Sequence, residues 1–138
     1  MAEKQAVLEL LRRQVHDRAN GHCEYCFIHE DDVYVSHEVD HIIAEKHGGS
    51  TLLDNLAWAC SACNRNKGTD LGSLDPRSNR LVPFFHPRKQ AWSRHFRLNG
   101  ARIEPLTASG RATAFLLRFN ETWRIDERLM LLSTGRYL

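Results

Sequence analysis

The sequence predicts a small α+β fold. Three observations carry that prediction. Val7, Leu8, Leu11 and Val15 recur at helical spacing over residues 2–19, and Asn20-Gly21 supplies a stop. Val33, Val35, Val39 and Ile43 share one parity, with Tyr34, Ser36, Glu38 and Asp40 on the other, which is a strand pattern over 33–43. Residues 61–67 then read as a short helix closed by Gly68.

The connecting segments follow in order. His22-Cys23-Glu24-Tyr25-Cys26 is too short and polar for a regular element. Gly48-Gly49-Ser50 marks a turn, and Leu52 to Trp58 returns as a strand or an irregular segment. Beyond residue 70, Asp75-Pro76 and Asn79 mark turns, and Pro83 and Pro87 flank Phe84-Phe85-His86. Residues 95–106 hold Asn99-Gly100 between two strand-like runs, a hairpin signal. Helices are expected near 109–119 and 124–133, with Leu116, Leu117, Leu129 and Leu132 in the core. No Gly/Ser-rich linker divides the chain, so 1–138 reads as a single domain. Residues 20–70 would form its core and 71–138 a mixed, basic C-terminal elaboration.

Composition narrows the function classes. Apolar residues make up 42% of the 138 and charged residues 26%, the balance of a globular domain. No apolar run approaches the ~18 residues of a membrane span, and the charged start MAEKQAVLELLRRQ does not read as a signal peptide. A cytoplasmic protein is the expectation. The net charge of +2 hides an asymmetry. Residues 1–70 hold 7 Lys+Arg against 12 Asp+Glu, a net −5; residues 71–138 hold 12 against 5, a net +7. Of 19 basic residues 15 are Arg, the side chain suited to bidentate phosphate contact. A polyanionic partner fits this pattern, and so does a solvated surface.

All four cysteines fall in two matched pairs, Cys23-x-x-Cys26 and Cys60-x-x-Cys63. Each pair can aim two sulfurs at one point, as a tetrahedral structural zinc site requires. One zinc explains two matched pairs better than the alternatives, a redox pair or iron. Four thiolates leave no open position, so this metal would hold the fold and do no chemistry.

Between and beside the knuckles lie Asp40-His41-Ile42-Ile43, Gly48-Gly49, Asn55-Leu56 and Asn64, followed by Lys67-Gly68. Each piece alone has a plain structural reading. In this order, over about residues 20–70, they resemble the HNH endonuclease family of the ββα-metal (His-Me finger) superfamily, in its zinc-knuckle bacterial type. His41 falls on the family's first His and Asn55 on its central Asn. Asn64 stands where His is common, and Ala44 where Pro often follows the Asp-His-Ile-Ile run.

The resemblance implies a two-stranded hairpin over a helix and a metal-dependent endonuclease acting on DNA. Asp40 and Asn64 would hold one Mg²⁺ or Mn²⁺ through oxygen atoms. His41 would be the general base, and an imidazole suits that role near neutral pH. Asn55 would brace the hairpin and fix the direction of His41. Adjacent strand residues point to opposite faces, so Asp40 and His41 can share a site only at a strand bend or end. His37 and His47 are secondary candidates. Arg65, Lys67, Arg88, Lys89, Arg94 and Arg97 are candidate phosphate contacts, the last four clustering around Trp92. The expected partner is DNA, duplex first, with RNA open and neither membrane nor small-molecule substrate. No coiled-coil heptads appear, so a monomer that nicks one strand at a time is expected. The rivals are a non-catalytic zinc-dependent nucleic-acid-binding module and a protein-interaction zinc module.

Overall fold

The N-terminal periodicity gives α1 (Ala2–Ala19) in the computed structural model of the chain, which describes residues 2–138. Only its last turns meet the body. Val15 packs with Leu56 and Trp58, while Val7 and Leu8 are exposed because the first turns have nothing opposite them. Arg18 ties the helix end down by donating to the carbonyls of Leu53 and Leu56.

The alternation over 33–43 yields a much shorter strand, β1 (Glu38–His41). Tyr34 and Val35 lie outside on the surface, and His37 turns inward. His37 Nε2 bonds the Ile28 carbonyl at 3.0 Å, a contact that an extended strand through 37 would not make. The return segment is a 3-10 turn, Leu53–Asn55, followed by β2 (Leu56–Ala59). β1 and β2 pair antiparallel, Glu38 opposite Ala59 and His41 opposite Leu56. β2 is buried throughout and leads through Cys60 directly into α2 (Ser61–Lys67), which spans the expected residues. The strand–strand–helix unit is therefore β1, β2 and α2.

The C-terminal half adds two more hairpins and three helices. β3 (Gly72–Leu74) pairs with β4 (Leu81–Pro83), a hairpin that sequence reasoning resolved only as turns. A single turn, α3 (Trp92–His95), leads into β5 (Phe96–Asn99), which pairs with β6 (Arg102–Pro105). The register makes Gly100-Ala101 the two-residue loop, one position later than the Asn-Gly signal placed it. Gly100 alone of the two has positive φ, the type II′ pattern that puts Gly first. α4 (Ala108–Leu116) is capped by Thr107, whose hydroxyl accepts from the Gly110 amide. α5 (Thr122–Ser133) closes the fold. Leu117 is fully buried and Leu116 and Leu132 are half-buried, but Leu129 is 51% exposed, against expectation. The inward face of α5 is carried instead by Arg124, Arg128 and Leu131, at helical spacing.

One hydrophobic cluster joins the two halves. It contains the four cysteines, Ile42 and Ala57 from the first half, and Phe85, Phe96, Ile103, Leu117 and Phe119 from the second. Phe96 meets Phe85 and Phe119 edge-on, each at 5.6 Å between centroids.

The β3–β4 turn is pinned by charge. Asp75 accepts from Arg111 through both carboxylate oxygens, at 2.8 Å each, and from Ser78 Oγ and the Arg77 amide. The Arg111 guanidinium holds the Asp75 carboxyl well below the ordinary carboxylate range. A carboxyl depressed on folding stabilises the protein above its unfolded pKa, about 3.9, and that stability is lost as pH falls towards the folded value. Asp75→Asn should therefore lower the melting temperature at neutral pH, and the gap from wild type should narrow below about pH 4. Melting curves across that range check this; a constant gap would mean the ion pair contributes nothing.

Candidate metal centre and candidate active site

The two Cys-x-x-Cys turns converge at the centre of the shared core. All four sulfurs lie within 4.8 Å of one another, and all four residues are buried. In each turn the amide of the second cysteine points at the sulfur of the first, Cys26 to Cys23 at 3.5 Å and Cys63 to Cys60 at 3.4 Å. Cys26 and Cys60 sulfurs stand 3.7 Å apart, far beyond disulfide length. A zinc–sulfur bond of about 2.3 Å in a tetrahedron places neighbouring sulfurs about 3.8 Å apart. The donor set thus fits a closed structural zinc site.

The second half of the chain completes this centre. Arg124 on α5 is buried and donates to Cys63 Sγ at 3.2 Å, to Cys60 Sγ at 3.8 Å and to the Leu117 carbonyl at 2.7 Å. Burial works against its charge, but the thiolates of Cys63, Cys26 and Cys60 outweigh that and hold the guanidinium protonated. Tyr137 donates to the Cys26 carbonyl at 2.6 Å. No motif in the sequence signals either residue, because each meets the cysteines only through the tertiary fold.

A second site opens at the end of β1. One cavity of about 320 Å³ has Asp40, His41, Glu45, Asn64 and Gly68 in its lining. β1 ends at His41, so two adjacent residues that would diverge along a regular strand reach the same space. Asn64 comes from α2, which packs against β1.

The supports of each residue are specific. His41 Nε2 lies 3.0 Å from Thr51 Oγ1 and 3.5 Å from Glu45 Oε1. Asn64 Nδ2 donates to Glu38 Oε2 at 3.0 Å. Asn55 is buried and spans the loop between the strands. Its Oδ1 accepts from the Ile43 amide at 2.9 Å, and its Nδ2 donates to the carbonyls of Ile43 at 2.9 Å and Ser50 at 2.8 Å. Gly49 sits so close to this bracing that an added Cβ would fall 1.7 Å from the Ile43 carbonyl oxygen. Only glycine fits there.

Asp40 is the most constrained member, at 4% exposure. Its Oδ2 accepts from Tyr25 Oη at 2.6 Å and from Lys67 Nζ at 3.1 Å. Burial pushes its carboxyl above the ordinary range, and the Lys67 charge and Tyr25 hydroxyl pull it only part of the way back. Lys67 differs from expectation. It is 2% exposed, and its ammonium donates to Asp40 and to the His41 carbonyl at 3.1 Å, so it is turned into the protein and away from any surface phosphate.

The remaining candidates are scattered. Arg65 is exposed on α2. Arg88 pairs with Glu24, and Arg97 with Glu104 at 2.8 Å; Lys89 and Arg94 are exposed. Trp92 packs against the core and donates to the Tyr25 carbonyl at 2.9 Å, so it serves the fold. His37 and His47 do not line the cavity. Tyr25, Glu38 and Thr51 escaped sequence reasoning as supports of the site. The signal for Glu38 was its parity with Asp40 in the strand; Thr51 gave none.

Residues 23–70 match the family model described as HNH endonuclease. This is an HNH segment. It covers both cysteine pairs, the β1–β2–α2 unit and every residue of the cavity at the end of β1. No curated protein and no solved structure matches the chain. The matched segment is similar to a family of metal-dependent nucleases, and the cysteine cluster within it is placed to form a zinc site, as in zinc-knuckle HNH segments. Among the described residues no helix is long and apolar enough to cross a membrane.

Proposed function

We propose that the chain is a metal-dependent endonuclease that hydrolyses phosphodiester bonds in DNA and cuts one strand at a time. The observation that supports this best is the meeting of Asp40, His41 and Asn64 on one cavity within the HNH segment. Asp40 and Asn64 would hold a single Mg²⁺ or Mn²⁺. Their oxygen donors suit a hard cation, and Asn64 Oδ1 has no partner among the described residues once Nδ2 is committed to Glu38. When bound, such an ion supplies charge stabilisation to the phosphate and to the leaving 3′ oxygen.

The chain's own residues then divide the work. Thr51 and Glu45 engage His41 Nε2, which leaves Nδ1 with the lone pair. Nδ1 takes a proton from water as its oxygen attacks phosphorus, and the bond to the 3′ oxygen breaks. The leaving 3′ oxygen takes up a proton from solvent, so the products are a 5′ phosphate and a 3′ hydroxyl. Asn55 holds the loop after His41, so the imidazole keeps its direction. Lys67 and Tyr25 fix the Asp40 carboxylate from behind.

One observation favours a second reading, a zinc-dependent nucleic-acid-binding module without catalysis: Asp40 is already engaged by Lys67 and Tyr25. Supercoiled plasmid incubated with Mg²⁺, Mn²⁺ or EDTA separates the two. The nuclease converts it to open circle in the presence of an ion, and linear DNA appears late, from nicks that accumulate near one another. Binding without conversion supports the second reading. Early linear DNA with no open-circle stage means that two sites act together, and the single-strand cut is then wrong.

A further inference from the structure

Away from the HNH segment, the second half of the chain forms a cleft of about 790 Å³ that the catalytic reading does not use. Its rim is cationic: Arg77, Arg102, Arg111 and Arg118. Arg111 is committed to Asp75, and Arg118 bonds Glu121, the cleft's one acidic residue. Arg77 and Arg102 are exposed and have no carboxylate partner among the described residues. The floor is apolar. Phe115 is 67% exposed there, beside Ala114 and Leu116 from the same helix.

An exposed phenyl ring beside unpaired guanidinium groups fits one kind of ligand. Single-stranded nucleic acid offers phosphates to a cationic rim and unstacked base faces to an apolar, aromatic floor. A duplex keeps its base faces stacked on one another, so it offers none to an aromatic side chain on the cleft. Position supports a link to cutting. Gly68 and Thr69 line the cavity that holds Asp40 and His41, and the chain runs from there through β3 to Pro76 and Arg77 on the cleft. Seven residues from Thr69 to Pro76 reach at most ~25 Å, so one short strand can meet both the cavity and the cleft.

We propose that this cleft is a binding site for single-stranded nucleic acid, with Phe115 stacking on a base and the unpaired Arg77 and Arg102 on the backbone. It rests on the reading of the chain as a nucleic-acid enzyme and adds the form of its ligand: a substrate with a single-stranded segment beside the cut, such as a flap, a gap or a displaced strand.

The test measures affinity by fluorescence anisotropy on zinc-loaded protein without added Mg²⁺ or Mn²⁺. The probes are an oligothymidine of about 12 nucleotides, inside the usual site sizes, and a mixed-sequence duplex of the same length. Phe115→Ala should weaken oligothymidine binding by roughly 5- to 150-fold, the range of one base–aromatic stack, and leave duplex binding unchanged. The double variant Arg77→Ala, Arg102→Ala should reduce the salt slope of log affinity for oligothymidine by about 1.4, at about 0.7 per phosphate contact. All three side chains are exposed, and unchanged melting temperatures verify that the variants fold. Unchanged oligothymidine affinity in both variants overturns the proposal, and if wild type still nicks plasmid, the nuclease reading survives it. A silent Phe115→Ala together with a reduced slope on duplex also overturns it, since the cleft then follows duplex phosphates. Wild type that neither binds nor cuts nucleic acid overturns both readings.

Discussion

Cys60→Ser is expected to release zinc and to unfold both halves of the chain together. Metal-binding energy at a site of four thiolates is folding energy, ~10–16 kcal/mol for structural zinc in small domains. That equals or exceeds the ~5–15 kcal/mol by which a domain is stable at all. The centre of this fold sharpens the effect. The sulfurs lie in the cluster that joins Ile42 and Ala57 to Phe96, Leu117 and Phe119, so the core shared by the two halves is built around them. Arg124 adds a second penalty. Its guanidinium is buried against Cys60 and Cys63 sulfurs, and once zinc leaves and the thiols take up protons, it becomes a buried cation without an anion. Metal analysis should find one zinc per chain in wild type, and tryptophan fluorescence from Trp58 and Trp92 should report one transition. Absence of zinc, or an unchanged melting temperature in Cys60→Ser, would discard the structural-zinc reading.

What the sequence disclosed divides along a physical line. The cysteine pairs, Asp40-His41, Asn55 and α2 were legible because their meaning lies in residue type at short spacing. A tetrahedral thiolate site needs Cys-x-x-Cys turns, and a helix following Cys60 carries Asn64 to the strand that bears Asp40. Elements whose partners are distant in sequence were not legible. Lys67 reads as surface charge, and its burial depends on an acceptor 27 residues earlier. Arg124 and Arg128 look like the polar face of an amphipathic helix. In the fold they point inward, because thiolates and the carbonyls of Ala101 and Phe119 supply their acceptors. That inversion is also why Leu129 is left outside. The strand over 33–43 shrank for a related reason: Val35 is exposed, and the one buried residue of 33–37 is His37, held by a backbone carbonyl.

His41→Ala is the substitution with the largest expected effect on activity. Loss of a general base should reduce cleavage by roughly 10²–10⁴-fold. The same change should leave the fold intact, since the side chain is part-exposed and bonds only Thr51 and Glu45; such sites usually move stability by within about 0.5 kcal/mol. Zinc content and DNA affinity should therefore match wild type, which separates chemistry from folding and binding. The cation set predicts a different pattern. Asn64→Ala removes an oxygen donor and should weaken the ion, so raised Mn²⁺ should restore part of the rate, whereas no concentration of Mn²⁺ replaces the base lost in His41→Ala. Asn64→His should stay active, because imidazole can ligate the same ion and the HNH resemblance places His at this position. Glu38 gives an internal control. It touches the cavity only through Asn64, so Glu38→Gln, which keeps a hydrogen-bond acceptor for Nδ2, should cost far less than either. Single-turnover nicking rates across a Mn²⁺ series decide among these outcomes. Full activity in His41→Ala would sink the assigned mechanism. Equal, Mn²⁺-insensitive losses in His41→Ala and Asn64→Ala would mean that Asn64 shapes the cavity without holding an ion.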